Sequence, residues 1–315
     1  MLYQPDSLKL RFFAWQQWLA IRYIDEQFVR FRQTKPLKPY PRYVWKTGLM
    51  LLMLMALGMY PALVALPLLT LLLFTSNVIS GTRLAAAAAT TLATEHETGT
   101  YDLLAVTPRG TLYAGWQLAV GRVRRIRAYD SMRFYSRWLP GSMYAMGAAA
   151  TVVFTIFILR DPFTTFTTEE AALTAITVGT LLIGGVAVAY ALYLDGVLSI
   201  VTATHTGIYA AYFLKDQATA QGVTAVVFIA VQGVIYTVMG MVAGAFFGVI
   251  GVLSVIWGDL NVVFEGTPLY LPWMLLTTVV ILALAIVLPP LTVGVAREAG
   301  VRVLVYLQQR RARHT

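Results

Sequence analysis

Between Asp216 and Asp259 the chain carries no charged side chain, and residues 222 to 250 within that interval read as one long apolar run. A hydrocarbon layer about 30 Å thick is crossed by roughly 20 helical residues, so such a run is long enough to span it. Punctuated by glycines, prolines and charges, the chain offers six such stretches, near 45–60, 62–90, 141–159, 171–194, 222–250 and 271–296. With 58% hydrophobic and 12% charged residues and a mean hydropathy of +0.68, the composition lies far from the roughly 25% charge of a soluble domain. The expected fold is all-α and polytopic: a transmembrane domain over 45–297 with six transmembrane helices.

The first pair admits another reading. Residues 47–79 also fit one tilted helix bent at Pro61 and Pro67, since only Met59, Tyr60 and Pro61 remain for a loop. Charge favours the hairpin. The first 46 residues hold nine Lys and Arg against three acids, and residues 83–137 hold eight against four. Arg297, Arg302, Arg310, Arg311 and Arg313 follow the sixth span, while the opposite side holds Arg160 with Asp161, Glu169 and Glu170, and later Asp259 and Glu265. Excess positive charge marks the cytoplasmic face, so both termini are expected there in an integral membrane protein of a bacterial or archaeal cytoplasmic membrane. The net charge of +9 then suits anionic lipid headgroups and needs no nucleic acid.

Residues 1–44 read as a cytoplasmic amphipathic helix with a proline-rich connector. Phe12, Trp15, Leu19 and Tyr23 fall at helical spacing, and Arg11, Arg22, Arg30 and Arg32 can snorkel to headgroups, as expected of an interfacial helix. A soluble helix packed on a partner is the alternative. Residues 298–315 read as a basic cytoplasmic tail. The basic stretch 121–138 reads as an insertion that binds lipid or a partner. Residues 251–273 combine Asp259 and Glu265 with apolar material, as expected of an external re-entrant segment.

Catalysis finds little footing. There are no cysteines, which excludes disulfides, iron-sulfur clusters and thiolate chemistry. HETGT at 96–100 lacks the second histidine of H-E-x-x-H, so no metal or catalytic residues are assigned. His205 reads as a loop or interface residue, and Asp195 and Arg83 as snorkelling side chains near span ends. None of the five lysines follows a phosphate-binding glycine loop, so no cofactor is expected on this chain.

Residues 94–110, TEHETGTYDLLAVTPRG, concentrate polar detail where the second span ends. Gly99 offers a hinge, Thr100 an N-cap, Tyr101, Leu103 and Leu104 an apolar surface, and Pro108 a stop. That arrangement suits a docking element or an amphipathic loop lying on lipid. Glu95, Glu97, Gly99, Thr100, Leu103, Leu104 and Pro108 resemble the E-x-E-x-G-T-x-x-L-L-x-x-x-P pattern of permease subunits of type-2 ATP-binding-cassette (ABC) exporters. The resemblance covers about fifteen residues, with His96 and Tyr101 departing from the usual residue types. It implies a cytoplasmic coupling helix docking on a separate ATPase subunit that binds ATP and Mg, and a second permease copy or a related permease. It also implies a re-entrant feature after the fifth span. Gly240, Gly244 and Gly248 put three small residues on one face of that span, open either to the dimer partner or to a helix of the same chain. The pair TGTYDLL (98–104) and TGIYAAY (206–212) offers a faint internal echo. A non-transporting scaffold or accessory subunit of a larger membrane complex remains the alternative function.

Overall fold

The structure, a computed structural model, describes Ala14, Ile21 and residues 59–99, 110–159, 168–214, 216–264 and 270–312. Every regular element among them is an α-helix: α1 (Met59–Glu97), α2 (Gly110–Val123), α3 (Arg127–Leu159), α4 (Thr168–Ala211), α5 (Gln217–Phe264) and α6 (Tyr270–Ala312). Helix is the form in which apolar segments satisfy their own backbone. The threonines satisfy themselves too: Thr82, Thr91, Thr155, Thr202, Thr224 and Thr292 each donate their hydroxyl to the carbonyl four residues back. Leu182–Ala211, Gln217–Val242 and Val279–Arg310 are long and apolar enough to cross a membrane.

Side-chain contacts fix the direction of each helix. Asn77 meets Asp195, and Ala85 and Ala88 meet Gly207, so α1 and α4 run parallel. Asp195 meets Arg297, and the carbonyl of His205 meets Gln308, so α4 and α6 are parallel as well. Ser136 and Tyr144 lie against Gly196 and Gly185, which makes α3 antiparallel to α4. Phe74 packs on Tyr236 and Gly81 on Phe228, making α5 antiparallel to α1. One end of the bundle therefore collects Glu97, the α2–α3 turn, the α4–α5 link and the end of α6. The start of α1 and the α3–α4 and α5–α6 links lie at the other.

Packing is dense at the first of these ends. Leu84, Ala88, Leu92, Trp116, Val120, Met132, Val201, Ile208, Phe228, Val301 and Val305 form one buried cluster there, which also takes in Ala14 and Ile21. Beyond Asp195 the apolar side chains turn outward: Val186 on α4, Val234 and Met241 on α5, and Val279 and Val287 on α6 are about half exposed or more. Burial explains the apolar character of the dense end; an apolar solvent is what the outward side chains require.

Gly207 sits where α1 and α4 approach most closely. A Cβ there would collide with the Ala85 carbonyl oxygen and lie 2.7 Å from the Ala88 Cβ. Backbone cannot swing aside, so the clash outweighs the ~1 kcal/mol that alanine gains over glycine in a helix. Gly207→Ala is expected to lower stability by about 2 kcal/mol. Gly121→Ala in α2, where a Cβ meets nothing within 4 Å, should leave stability unchanged or raise it. Thermal melting of both variants in detergent checks the contrast.

Several sequence expectations are corrected. Met59, Tyr60 and Pro61 form the first turn of α1 rather than a loop, a place where proline lacks nothing because first-turn N–H groups have no helical acceptor. Residues 45–58 lie outside the described residues. The supposed insertion 121–138 is instead the end of α2, a turn, and the first third of α3, with Val123, Ala128, Tyr129 and Met132 in the core. In place of a re-entrant break, α5 continues as helix through 251–264. The tail from 298 onward is helical to Ala312, and Val301, Leu304, Val305 and Gln308 are buried. Of the N-terminal helix, only Ala14 and Ile21 are described. The Ala14 N–H donates to Glu298 Oε2 at 2.6 Å.

Candidate functional site

Glu95 and Glu97 stand on the last turn of α1, and the helix ends because Gly99 turns left-handed at φ 69°. The Thr98 N–H donates to the Thr94 carbonyl at 3.0 Å and the Gly99 N–H to that of His96 at 3.2 Å, closing the helix end. A side chain at position 99 would strain that cap by roughly 1 kcal/mol.

Glu97 reaches beyond its own helix. Its Oε1 accepts the Gln217 N–H at 3.1 Å, which sets a carboxylate against the N-terminus of α5. Asp216 caps the same terminus, accepting from the Thr219 hydroxyl at 2.6 Å and the Thr219 N–H at 2.8 Å. The Thr219 hydroxyl, then its N–H, hold the Asp216 carboxyl below the ordinary aspartate range. That cap is complete above the unfolded aspartate pKa and is lost as pH falls through the lower folded value.

Thr100, Tyr101, Leu103, Leu104 and Pro108 lie outside the described residues. Gly110 opens α2, whose Trp116, Ala119, Val120 and Val123 belong to the buried cluster. Gly240, Gly244 and Gly248 are exposed, and a Cβ on any of them would meet nothing within 4 Å. Ala230, Gly233 and Thr237, also exposed, extend the same face of α5.

A second cluster joins four helices and escaped the sequence reading. Arg297 on α6 donates from Nε to Asp195 Oδ1 on α4 at 2.9 Å, and from Nη1 to Gln232 Oε1 on α5 at 2.7 Å. Its Nη2 reaches the same Asp195 oxygen. The other carboxylate oxygen accepts Asn77 Nδ2 from α1 at 3.2 Å and the Tyr236 hydroxyl at 3.1 Å. The guanidinium carbon also lies 5.4 Å from the centre of the Tyr236 ring. Asp195 is 1% exposed and Arg297 fully buried.

Asp195 therefore does not snorkel, and Arg297 does not belong to the cytoplasmic positive charge. Arg83, by contrast, is exposed. Each carboxylate oxygen is satisfied and the net charge is zero, so the cluster is built to hold helices together rather than to exchange protons. One signal for it was present: Asp195 is the lone charge between Glu170 and Lys215, and Arg297 ends a charge-free run that begins after Glu265. A lone acid and a lone base in separate apolar runs are expected to find each other.

His205 is likewise no loop residue. It is fully buried in α4 and stacked on Trp116 with ring centroids 4.5 Å apart. The echo with 98–104 fails at its glycine, because Gly207 is inside a helix whereas Gly99 ends one. Among the described residues no group of three His, Asp or Glu is placed to hold a metal ion. Comparison with protein-family models, with curated proteins and with solved structures finds no match to this chain.

Proposed function

We propose that the chain is the permease subunit of a type-2 ABC exporter, crossing the membrane six times with both termini in the cytoplasm. It pairs with a second permease and draws its power from a separate ATPase that binds ATP and Mg. The observation that carries this reading is the bond from Glu97 to the first N–H of α5. Gly99 ends α1 and Gly110 opens α2, so a force applied to segment 100–109 would reach α1, α2 and, through Glu97, α5 together. That is what a coupling element needs: a docking surface outside and a rigid connection within. Purification with native partners tests the reading; an ATPase recovered in equal amount supports it, and a complex without any ATPase overturns it.

The second permease meets α5. The open positions at Gly240, Gly244 and Gly248 favour an approaching helix from another copy over one of the described helices of this chain. Gly244→Leu is expected to reduce the dimer at least tenfold while leaving membrane insertion unchanged, since it separates helices without adding polarity. Cysteine crosslinking at Ala243 measures it. Undiminished crosslinking in the Leu variant would move the dimer contact elsewhere.

A further inference from the structure

The α2–α3 corner carries a charge that neither the coupling segment nor the buried cluster uses. Arg122, Arg124, Arg125, Arg127, Arg133 and Arg137 face a single acid, Asp130, over residues 122–138. Their positions are fixed from inside: Val123, Ala128, Tyr129 and Met132 are buried in the core and Ile126 packs against it. The turn is also closed by the bond from the Ile126 N–H to the Val123 carbonyl at 3.3 Å. Arg122, Arg127 and Arg137 are left exposed.

The outer face of α3 tells what these arginines meet. Arg127, Phe134, Trp138, Ala145, Val152 and Ile156 recur at intervals of seven and four, so they share one side of the helix. Along it the character changes once, from arginine to aromatic to aliphatic. Trp138 is 61% exposed and stacks on Phe134, with ring centroids 6.1 Å apart, while Val152 and Ile156 are 43% and 49% exposed. An exposed tryptophan between a cationic and an aliphatic stretch is the pattern of a helix passing through a headgroup layer. Arg137 adjoins Trp138, and Arg127 lies about 15 Å farther along the axis, at the outer edge of a charged leaflet's field. An acidic protein would account for the arginines but not for the exposed Trp138 and its stacked Phe134, which join them to the aliphatic half of the face.

We infer that the α2–α3 corner is a binding surface for anionic phospholipid headgroups, with Trp138 at the acyl boundary. This rests on the chain crossing a membrane and not on its pairing with an ATPase. The test uses the purified full-length protein in detergent, titrated with phosphatidylglycerol or phosphatidylcholine. Phosphatidylglycerol should raise the melting midpoint by about 5 °C more than phosphatidylcholine, an excess that fades in 0.5 M salt. Arg122→Gln, Arg127→Gln and Arg137→Gln together should abolish the excess, and the same three changed to Lys should keep most of it. These side chains are exposed, so the Gln variant folds; native mass spectrometry counting phosphatidylglycerol per chain gives a second readout. Equal stabilisation by both lipids, an undiminished excess in the Gln variant, or the same shift from inorganic phosphate alone would each overturn the inference. So would an acidic protein retained by these arginines in place of lipid.

Discussion

Arg297→Met should destabilise the folded chain by about 3–5 kcal/mol, the range measured when one partner of a buried ion pair is removed. The substitution leaves the Asp195 carboxylate 1% exposed, with only the neutral donors Asn77 and Tyr236, and strands Gln232 Oε1 as well. Methionine fills much of the volume and buries easily, so lost packing is a small part of the effect. The companion experiment separates charge from shape. Asp195→Leu with Arg297→Met removes both charges, and since desolvation cancels much of the attraction in such pairs, the double variant should lie within about 2 kcal/mol of the parent. Melting in detergent for the parent, both single variants and the double one completes the cycle. A single Arg297→Met variant that melts with the parent would mean the pair is wet.

On the proposed coupling role, Leu103→Asp with Leu104→Asp should detach an ATPase partner while the chain still inserts in the membrane. If the two leucines are anchors in an apolar groove, each is worth about 2 kcal/mol, so losing both weakens binding by roughly a thousandfold. Forcing carboxylates into the groove adds desolvation. A pull-down from native membranes measures it, with Gly244→Leu as the control that disturbs the other proposed interface. Full ATPase recovery from the double Asp variant would remove segment 94–110 from the coupling role.

The fold was legible wherever one side chain carried the information. Gly99 was read as a hinge because glycine alone enters the left-handed region freely, and its φ of 69° bears this out. The apolar runs read as spans at 171–194, 222–250 and 271–296 fall inside the helices at 168–211, 217–264 and 270–312, whose ends the sequence reading did not reach. What failed was whatever depends on a partner distant in sequence. Asp195 and Arg297 are 102 residues apart, and each alone resembles a span-end charge. Residues 121–138 read as an insertion that binds lipid or a partner because arginines dominate the count, and the burial of Ala128, Tyr129 and Met132 in the core was missed. Asp259 suggested a break in α5, but one carboxylate near a helix end does not stop a helix. The coupling leucines remain a matter of resemblance, since they lie outside the described residues.

The unbroken length of α5 has a mechanical meaning. It is a rod of 48 residues, and its attachment to the buried ion pair at Tyr236 divides it into arms of about 29 Å toward Gln217 and about 42 Å toward Phe264. With Tyr236 as the fulcrum, a 5° tilt moves the Gln217 end by about 2.5 Å and the far end by about 3.7 Å. On the proposed coupling role, movement delivered through Glu97 would be geared up by about one and a half at the opposite end, in the reverse direction, with no hinge inside the helix.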